Sequence, residues 1–224
     1  MVTVYFVRHC AAQGNVDGKF QGRIDCDITD LGRKQLDLLA VRLRNVPFAA
    51  VYTSPLVRAR KTAEAVLRYH EGVPLYIEPG LIEIDLGKID GMDWHEFPNV
   101  YPEAADAWYH HPWDFKAPDG ESMKDVWDRV WGAVNAIVQK EQEPGREKTL
   151  CLVTHGCALR NYLCRAKGLP IERFDEVPLT DNTGICKVRY DDAGVPEVLV
   201  VGDASHLTPE LSVAKKMGWG AKKA

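Results

Sequence analysis

Five side chains in this sequence are of types that together handle phosphate: Arg8, His9, Arg58, Glu83 and His155. Two arginines at one focus point to an oxyanion, because the guanidinium fork matches phosphate geometry and stays charged at any working pH. A histidine among arginines is a potential nucleophile toward phosphorus, since neighbouring positive charge favours the neutral imidazole. A glutamate at the same focus can protonate a leaving oxygen. The set points to phosphoryl transfer through a phosphohistidine. Rival chemistries lack their signatures. There is no GxxxxGK[ST] loop for a nucleotide, no Cys followed six residues later by Arg, and no HExxH or paired CxxC for zinc.

Such a site needs elements that bring these positions to one edge. Thr3–Val7 is a short apolar, β-branched and aromatic run that reads as a buried strand ending in Arg8 and His9. Ala49–Thr53 reads as a second strand, turned by Ser54-Pro55 into a helix over 57–69 that carries Arg58. Leu75–Ile77 reads as a third strand, shortly before Glu83. Thr149–Thr154 reads as a fourth, running directly into His155-Gly156 and a helix over 158–167. Thr29 reads as the N-cap of an amphipathic helix, and Ser122 opens another, with Asp125 in capping-box position. Ile185–Tyr190 and Glu197–Val201 flank Asp192-Ala193-Gly194 as a hairpin. The tail beyond Ser205 ends in GWGAKKA and is expected to fray. Strands alternating with helices predict a mainly parallel sheet with helices on both faces and an antiparallel edge. In open α/β sheets, ligands sit at the carboxyl ends of the strands, where these residues fall.

The chain of 224 residues fits a single domain over 1–224, with an aromatic-rich excursion at about 87–120. Its net charge of −4 argues against a nucleic-acid partner. No apolar run approaches a membrane span, and no secretory n-region precedes the first strand. The six cysteines form no CxxC pair. A cytoplasmic protein with reduced thiols is expected. A metal held by Cys10, Cys157 and the two histidines is disfavoured, because the arginines would repel a cation.

The residues also resemble a known family. FVRHCAAQGN is similar to the RHG signature of the histidine phosphatase superfamily, the phosphoglycerate mutase-like family. ITDLGRKQ (28–35) resembles its LTxxGxxQ, TSPLVRARKTAEA (53–65) its SPLxRAxxTA, and LIEIDLGKIDG (81–91) its LxExxxGxxxG. PDGES (118–122) and VTHGCALR (153–160) follow in the family's order. The resemblance implies a three-layer α/β/α sandwich. It implies His9 as the phosphorylated nucleophile, and Arg8, Arg58 and His155 as phosphoryl ligands. Glu83 would be the general acid and then the base for water. Asn15, Gln21, Gly22 and the backbone after Gly156 would be substrate contacts. It implies no metal and no cofactor, and is compatible with monomer or homodimer. Cys10 stands where the family has Gly, and Ala11-Ala12 replace the common Glu-Thr or Glu-Ser. Loss of that hydroxyl is expected to alter substrate fit without inactivating the protein.

The expected activity is metal-independent hydrolysis of a small phosphomonoester. The alternatives are a cofactor-dependent phosphoglycerate mutase and a catalytically silent phosphate-binding regulator. Residues 87–120 carry Trp94, Phe97, Tyr101, Trp108, Tyr109, Trp113 and Phe115, either as core under a long loop or as a lid and substrate pocket. Acids there and just before (Asp85, Asp90, Asp93, Glu96, Glu103, Asp106, Asp114) outnumber Lys88 and Lys116. This balance predicts a single phosphate on an apolar or aromatic organic part. Ribazole phosphate, sugar phosphates, nucleotides and phosphoproteins are all compatible.

Overall fold

The computed structural model describes residues 1–214. Six strands form one sheet in the order β3-β2-β4-β1-β5-β6. They are β1 (Val2–Arg8), β2 (Phe48–Thr53), β3 (Leu75–Ile77), β4 (Lys148–Thr154), β5 (Ile185–Tyr190) and β6 (Pro196–Asp203). β1 lies parallel to β4, and β2 is parallel to both β4 and β3. β5 runs antiparallel to β1, and β6 antiparallel to β5.

The helices are α1 (Gln13–Val16), α2 (Asp30–Leu43), α3 (Val57–Leu67), α4 (Phe97–Val100), α5 (Pro102–His110), α6 (Met123–Glu141) and α7 (Gly156–Ala166). Alternation along the central strands assigns them to layers. Val4, Phe6, Leu150 and Leu152 face the core shared with α6 and α7. Val7, Val51, Cys151 and Val153 face the core shared with α2 and α3. Side chains on both faces of β1 and β4 are buried, each large one contributing about 2 kcal/mol of apolar burial. The result is the expected three-layer sandwich. Among the described residues no helix is long and apolar enough to cross a membrane.

The helix starts follow their caps. Thr29 accepts the Gly32 amide, while Ser122 and Asp125 exchange hydrogen bonds in a capping box. One expectation fails. The tail does not fray at Ser205, because Gln35 donates to the Leu211 carbonyl at 2.8 Å and Ser212 donates to Asp181 at 2.5 Å. The GWGAKKA end lies outside the described residues.

The register sets the site. Arg8 pairs with Thr154, and Val153 pairs with both Val7 and Thr53. The carboxyl ends of β1, β4 and β2 therefore stop side by side, with His9, His155 and Ser54 as the next residues.

Candidate active site

His9 leaves β1 with its amide bonded to the Thr154 carbonyl at 2.9 Å. The loop after it is clamped by the 28–35 segment. Thr29 donates its amide to the Ala11 carbonyl, and Gln35 Oε1 accepts the Ala11 amide at 2.8 Å. Gly32 is required there, since a Cβ would lie 2.2 Å from the Ala11 oxygen. From α3, Thr62 accepts the Cys10 amide at 3.0 Å. His9 Nδ1 lies 2.7 Å from the Cys10 carbonyl oxygen. A carbonyl only accepts, so Nδ1 carries the ring proton and Nε2 keeps its lone pair.

His155, fully buried, ends β4 with its ring centroid 5.0 Å from that of His9. Its Nε2 lies 2.6 Å from the Ser54 hydroxyl, and its Nδ1 is buried without a hydrogen-bond partner. The tautomer in which Ser54 donates to Nε2 is the one that gives this ring an Nδ1–H donor toward an anion. Burial holds both imidazoles well below the ordinary histidine value, reinforced by Arg58 and Arg8.

These shifts set a pH dependence of stability. Below about pH 6.5 the unfolded chain binds protons at His9 and His155 that the folded chain refuses. Their contribution is fully present above that pH and is lost as pH falls. The expected slope is about 1 kcal/mol per pH unit for each histidine. Urea unfolding at pH 7.5, 6.5 and 5.5 checks this, with His155→Gln expected to roughly halve the slope. Equal stability across that range would contradict it.

Arg8 donates Nη1 to the Thr180 carbonyl at 2.7 Å, and burial pushes it down to about 10, opposed by Glu83 and Asp181. Arg58 is fully buried and donates to the Gly22 and Ile24 carbonyls at 2.6 and 2.8 Å. Its Nε is buried and unpartnered. Asp90 holds the same loop from the other side, accepting the amides of Gly22, Arg23 and Ile24 at 2.7 to 2.8 Å.

Glu83 arrives through a 3-10 turn, Pro79–Leu81, and the extended segment after it. Its carboxylate accepts the amides of Ile84, Cys157 and Ala158 at 2.9 to 3.1 Å, two of them from the first turn of α7. Arg129 of α6 locks this segment by donating to the Gly80 and Ile82 carbonyls while its fork holds Glu121 at 2.8 Å.

A cavity of about 390 Å³ opens at this point, with Arg8, Asn15, Gln21, Glu83 and Gly156 among its walls. Asn15 accepts the Ala12 amide on Oδ1 at 3.1 Å. The Gln21 amide is buried with no hydrogen-bond partner. Gly22 is placed differently. Its amide and carbonyl are taken by Asp90 and Arg58, and it stands behind the site as the arginine's support.

The aromatic segment divides between the core and the cavity wall. Phe97 and Phe115 are fully buried core, while Trp94, Trp108 and Tyr109 line the cavity beside Phe20. Its acids do not line the cavity. Asp90 caps the 22–24 loop, Asp85 pairs with Arg23, and Asp106 pairs with His110 and His111. The wall also includes Lys19 and Arg160. The charge argument for a single phosphate therefore fails, because it counted acids that face elsewhere.

Cys10 packs with α2 on one face of the sheet, and Cys157 lies against Met123 on the other. Burial pushes Cys10 up to about 11 and Cys157 well above the ordinary thiol value, the latter helped by Glu83. Neither is set up as a thiolate nucleophile. Sequence reasoning passed over Ser54, Thr62, Gln35 and Asn182. The first three sit inside quoted motifs, but their polar groups act on neighbours' backbone or rings, which spacing does not reveal.

The model of the histidine phosphatase superfamily (branch 1) matches residues 4–203. Phosphoserine phosphatase 1 of Hydrogenobacter thermophilus is 30% identical over 174 residues, 78% of this chain and 80% of that protein. The probable phosphoglycerate mutase GpmB of Cronobacter sakazakii is 31% identical over 216 residues, 92% of this chain and 95% of that one. Among solved structures, YhfR of Bacillus stearothermophilus superposes with a TM-score of 0.85 at 34% identity, covering 92% of this chain and 99% of its own. The β1 end with Arg8 and His9, the buried Arg58 and the β4 end with His155 all lie inside the matched span, and the chain belongs to the histidine phosphatase superfamily, branch 1.

Proposed function

We propose that the protein is a metal-independent phosphomonoesterase of the cytoplasm that works through phospho-His9. The observation that carries this reading is the 2.7 Å bond from His9 Nδ1 to the Cys10 carbonyl, which leaves the lone pair on Nε2 and so supports that nitrogen as the nucleophile. The free thiols of all six cysteines support a reducing compartment.

Nε2 attacks phosphorus, the bond to the alcohol oxygen breaks, and that oxygen takes a proton from Glu83. Positive charge that develops on the ring is stabilised through the Nδ1–H bond to Cys10. Arg8, the Nε of Arg58 and the Nδ1 of His155 meet the phosphoryl oxygens. Water then attacks phosphorus and gives one proton to the Glu83 carboxylate as the N–P bond breaks. Inorganic phosphate leaves, and no metal enters either step. The organic part of the substrate packs against Phe20, Trp94 and Trp108.

Likeness to GpmB keeps the mutase as a second reading, since its first half-reaction is the same. Hydrolysis of p-nitrophenyl phosphate in EDTA, run beside 3-phosphoglycerate isomerisation with and without a 2,3-bisphosphoglycerate primer, separates the two. Metal-free hydrolysis with no primer-dependent isomerisation is expected. Isomerisation exceeding hydrolysis would replace the first reading by the second.

A further inference from the structure

The turn Asp181–Gly184 joins the segment after α7 to β5 and runs directly beneath the nucleophile loop. Gly184 donates its amide to the Asp181 carbonyl at 2.9 Å to close the turn. A side chain at Gly184 would put a Cβ 2.6 Å from Thr180 Cγ2 and 2.9 Å from the Asp181 oxygen. Thr183 sits in the left-handed region, at φ 57°. For a β-branched residue this is an outlier of order 1–3 kcal/mol, held only where the surroundings over-determine it.

What holds it is the site. The Thr183 amide donates to the Arg8 carbonyl at 3.0 Å, and Arg8 donates its own amide to the Gly184 carbonyl at 3.2 Å. Asn182 is fully buried between these contacts, and its Nδ2 donates to the His9 carbonyl at 2.9 Å and to Asn15 Oδ1 at 3.4 Å. Flipping the Asn182 amide would set its oxygen against two other oxygens, so the network fixes its orientation. Its Oδ1 is left buried without a partner, a cost accepted for the two donations. Asp181 braces the turn from outside, taking the Asn182 amide at 2.8 Å, the Ser212 hydroxyl at 2.5 Å and the Ala214 amide at 3.1 Å.

The consequence falls on Asn15, which lines the cavity. With its Oδ1 occupied by the Ala12 amide and by Asn182, its Nδ2 donor is the end left for the phosphoryl group. We propose that Asn182 is a positioning residue. Its side-chain amide holds the His9 carbonyl and the Asn15 oxygen together, so that nucleophile and phosphoryl donor keep one fixed relation. The inference rests on the phosphoryl site proposed above.

The test uses the full-length protein, with Asn182→Ala, the isosteric Asn182→Asp, Asn15→Ala and the Asn15→Ala combinations. Hydrolysis of p-nitrophenyl phosphate, affinity for orthovanadate and melting temperature are measured on each. Both Asn182 variants should lower kcat/KM and orthovanadate affinity by about 10- to 100-fold, the worth of one hydrogen bond to a charged group. In the Asn15→Ala background the same change should cost less than about 3-fold, because the two residues act as one unit. Equal losses in both backgrounds, as a general structural defect gives, or an unimpaired Asn182→Asp, would overturn the proposal. Should Asn182→Ala not fold, the Asp variant carries the same cycle. Orthovanadate binding needs no turnover. A wild type that binds it in an Asn182-dependent way without hydrolysing fails the proposed activity and keeps the positioning role. One that hydrolyses while its orthovanadate affinity ignores Asn182 fails the positioning role alone. A wild type that does neither overturns both.

Discussion

His9→Ala is expected to lower kcat for p-nitrophenyl phosphate by about 10⁴-fold or more, the scale seen when a covalent nucleophile is removed. The fold should survive. The hydrogen bonds that hold this residue in place run through its backbone, from its amide to Thr154 and to its carbonyl from Asn182. Among the described residues the side chain makes one hydrogen bond, to the Cys10 carbonyl, so truncation costs that bond and the contact with the His155 ring. Activity and stability are therefore separable at this position. Melting should shift by only a few degrees, and removing a neutral imidazole between two guanidinium groups should leave orthovanadate binding measurable. Brief incubation with a ³²P-labelled monoester and alkaline quenching should trap label on the wild type and none on the variant. A variant that keeps more than about a hundredth of wild-type activity would show that another group attacks phosphorus.

The layers, the mainly parallel sheet with its antiparallel edge, and the hairpin were legible because they rest on local signals, whereas the strand order was not read from the sequence. Thr3–Val7 and Thr149–Thr154 are apolar on both faces, as strands buried between two helical layers must be. Thr29 and Ser122 announce their helices through cap chemistry that depends on the next three residues alone. The arginines, histidines and glutamate were legible because each follows a readable strand or sits in a motif at fixed spacing. What stayed hidden depends on long-range pairing. Asp181-Asn182-Thr183-Gly184 reads as ordinary turn chemistry, and nothing local says that Asn182 will meet a carbonyl 173 positions earlier. Gly22 was placed on the substrate side by its neighbours in sequence, although Asp90 and Arg58 claim both of its backbone groups. The charge of the aromatic segment misled for the same reason. A count of acids carries no direction, and here the acids cap backbone amides and pair with Arg23 and histidines.

Arg58 is the position where chemistry and architecture are least separable. Its side chain is fully buried, and burial alone pulls it below the ordinary arginine value, with Glu83, Asp25 and Asp90 opposing the loss. Two of its nitrogens are spent on the Gly22 and Ile24 carbonyls and Nε is buried without a partner, the edge that the proposed mechanism gives to a phosphoryl oxygen. Arg58→Ala removes that charge and strands two carbonyls whose own amides remain fixed on Asp90. The expected loss in kcat/KM is about 10³-fold or more, the range of single charged contacts to a transferring phosphoryl group. The expected loss of stability is roughly 3 kcal/mol, from leaving buried partners unpaired. Arg58→Lys should recover little of either. An ammonium is a point charge with no planar fork, and it cannot bridge two carbonyls while presenting a third donor in plane. Asp90→Asn disturbs the same loop without touching the guanidinium, so it should lower kcat/KM by about 10-fold and leave the Arg58 charge in place. Steady-state kinetics beside urea unfolding of the three variants resolves these contributions. An Arg58→Lys enzyme with more than about a tenth of wild-type kcat/KM would show that charge alone suffices, and that the fork geometry built by Gly22, Ile24 and Asp90 is dispensable for phosphoryl transfer.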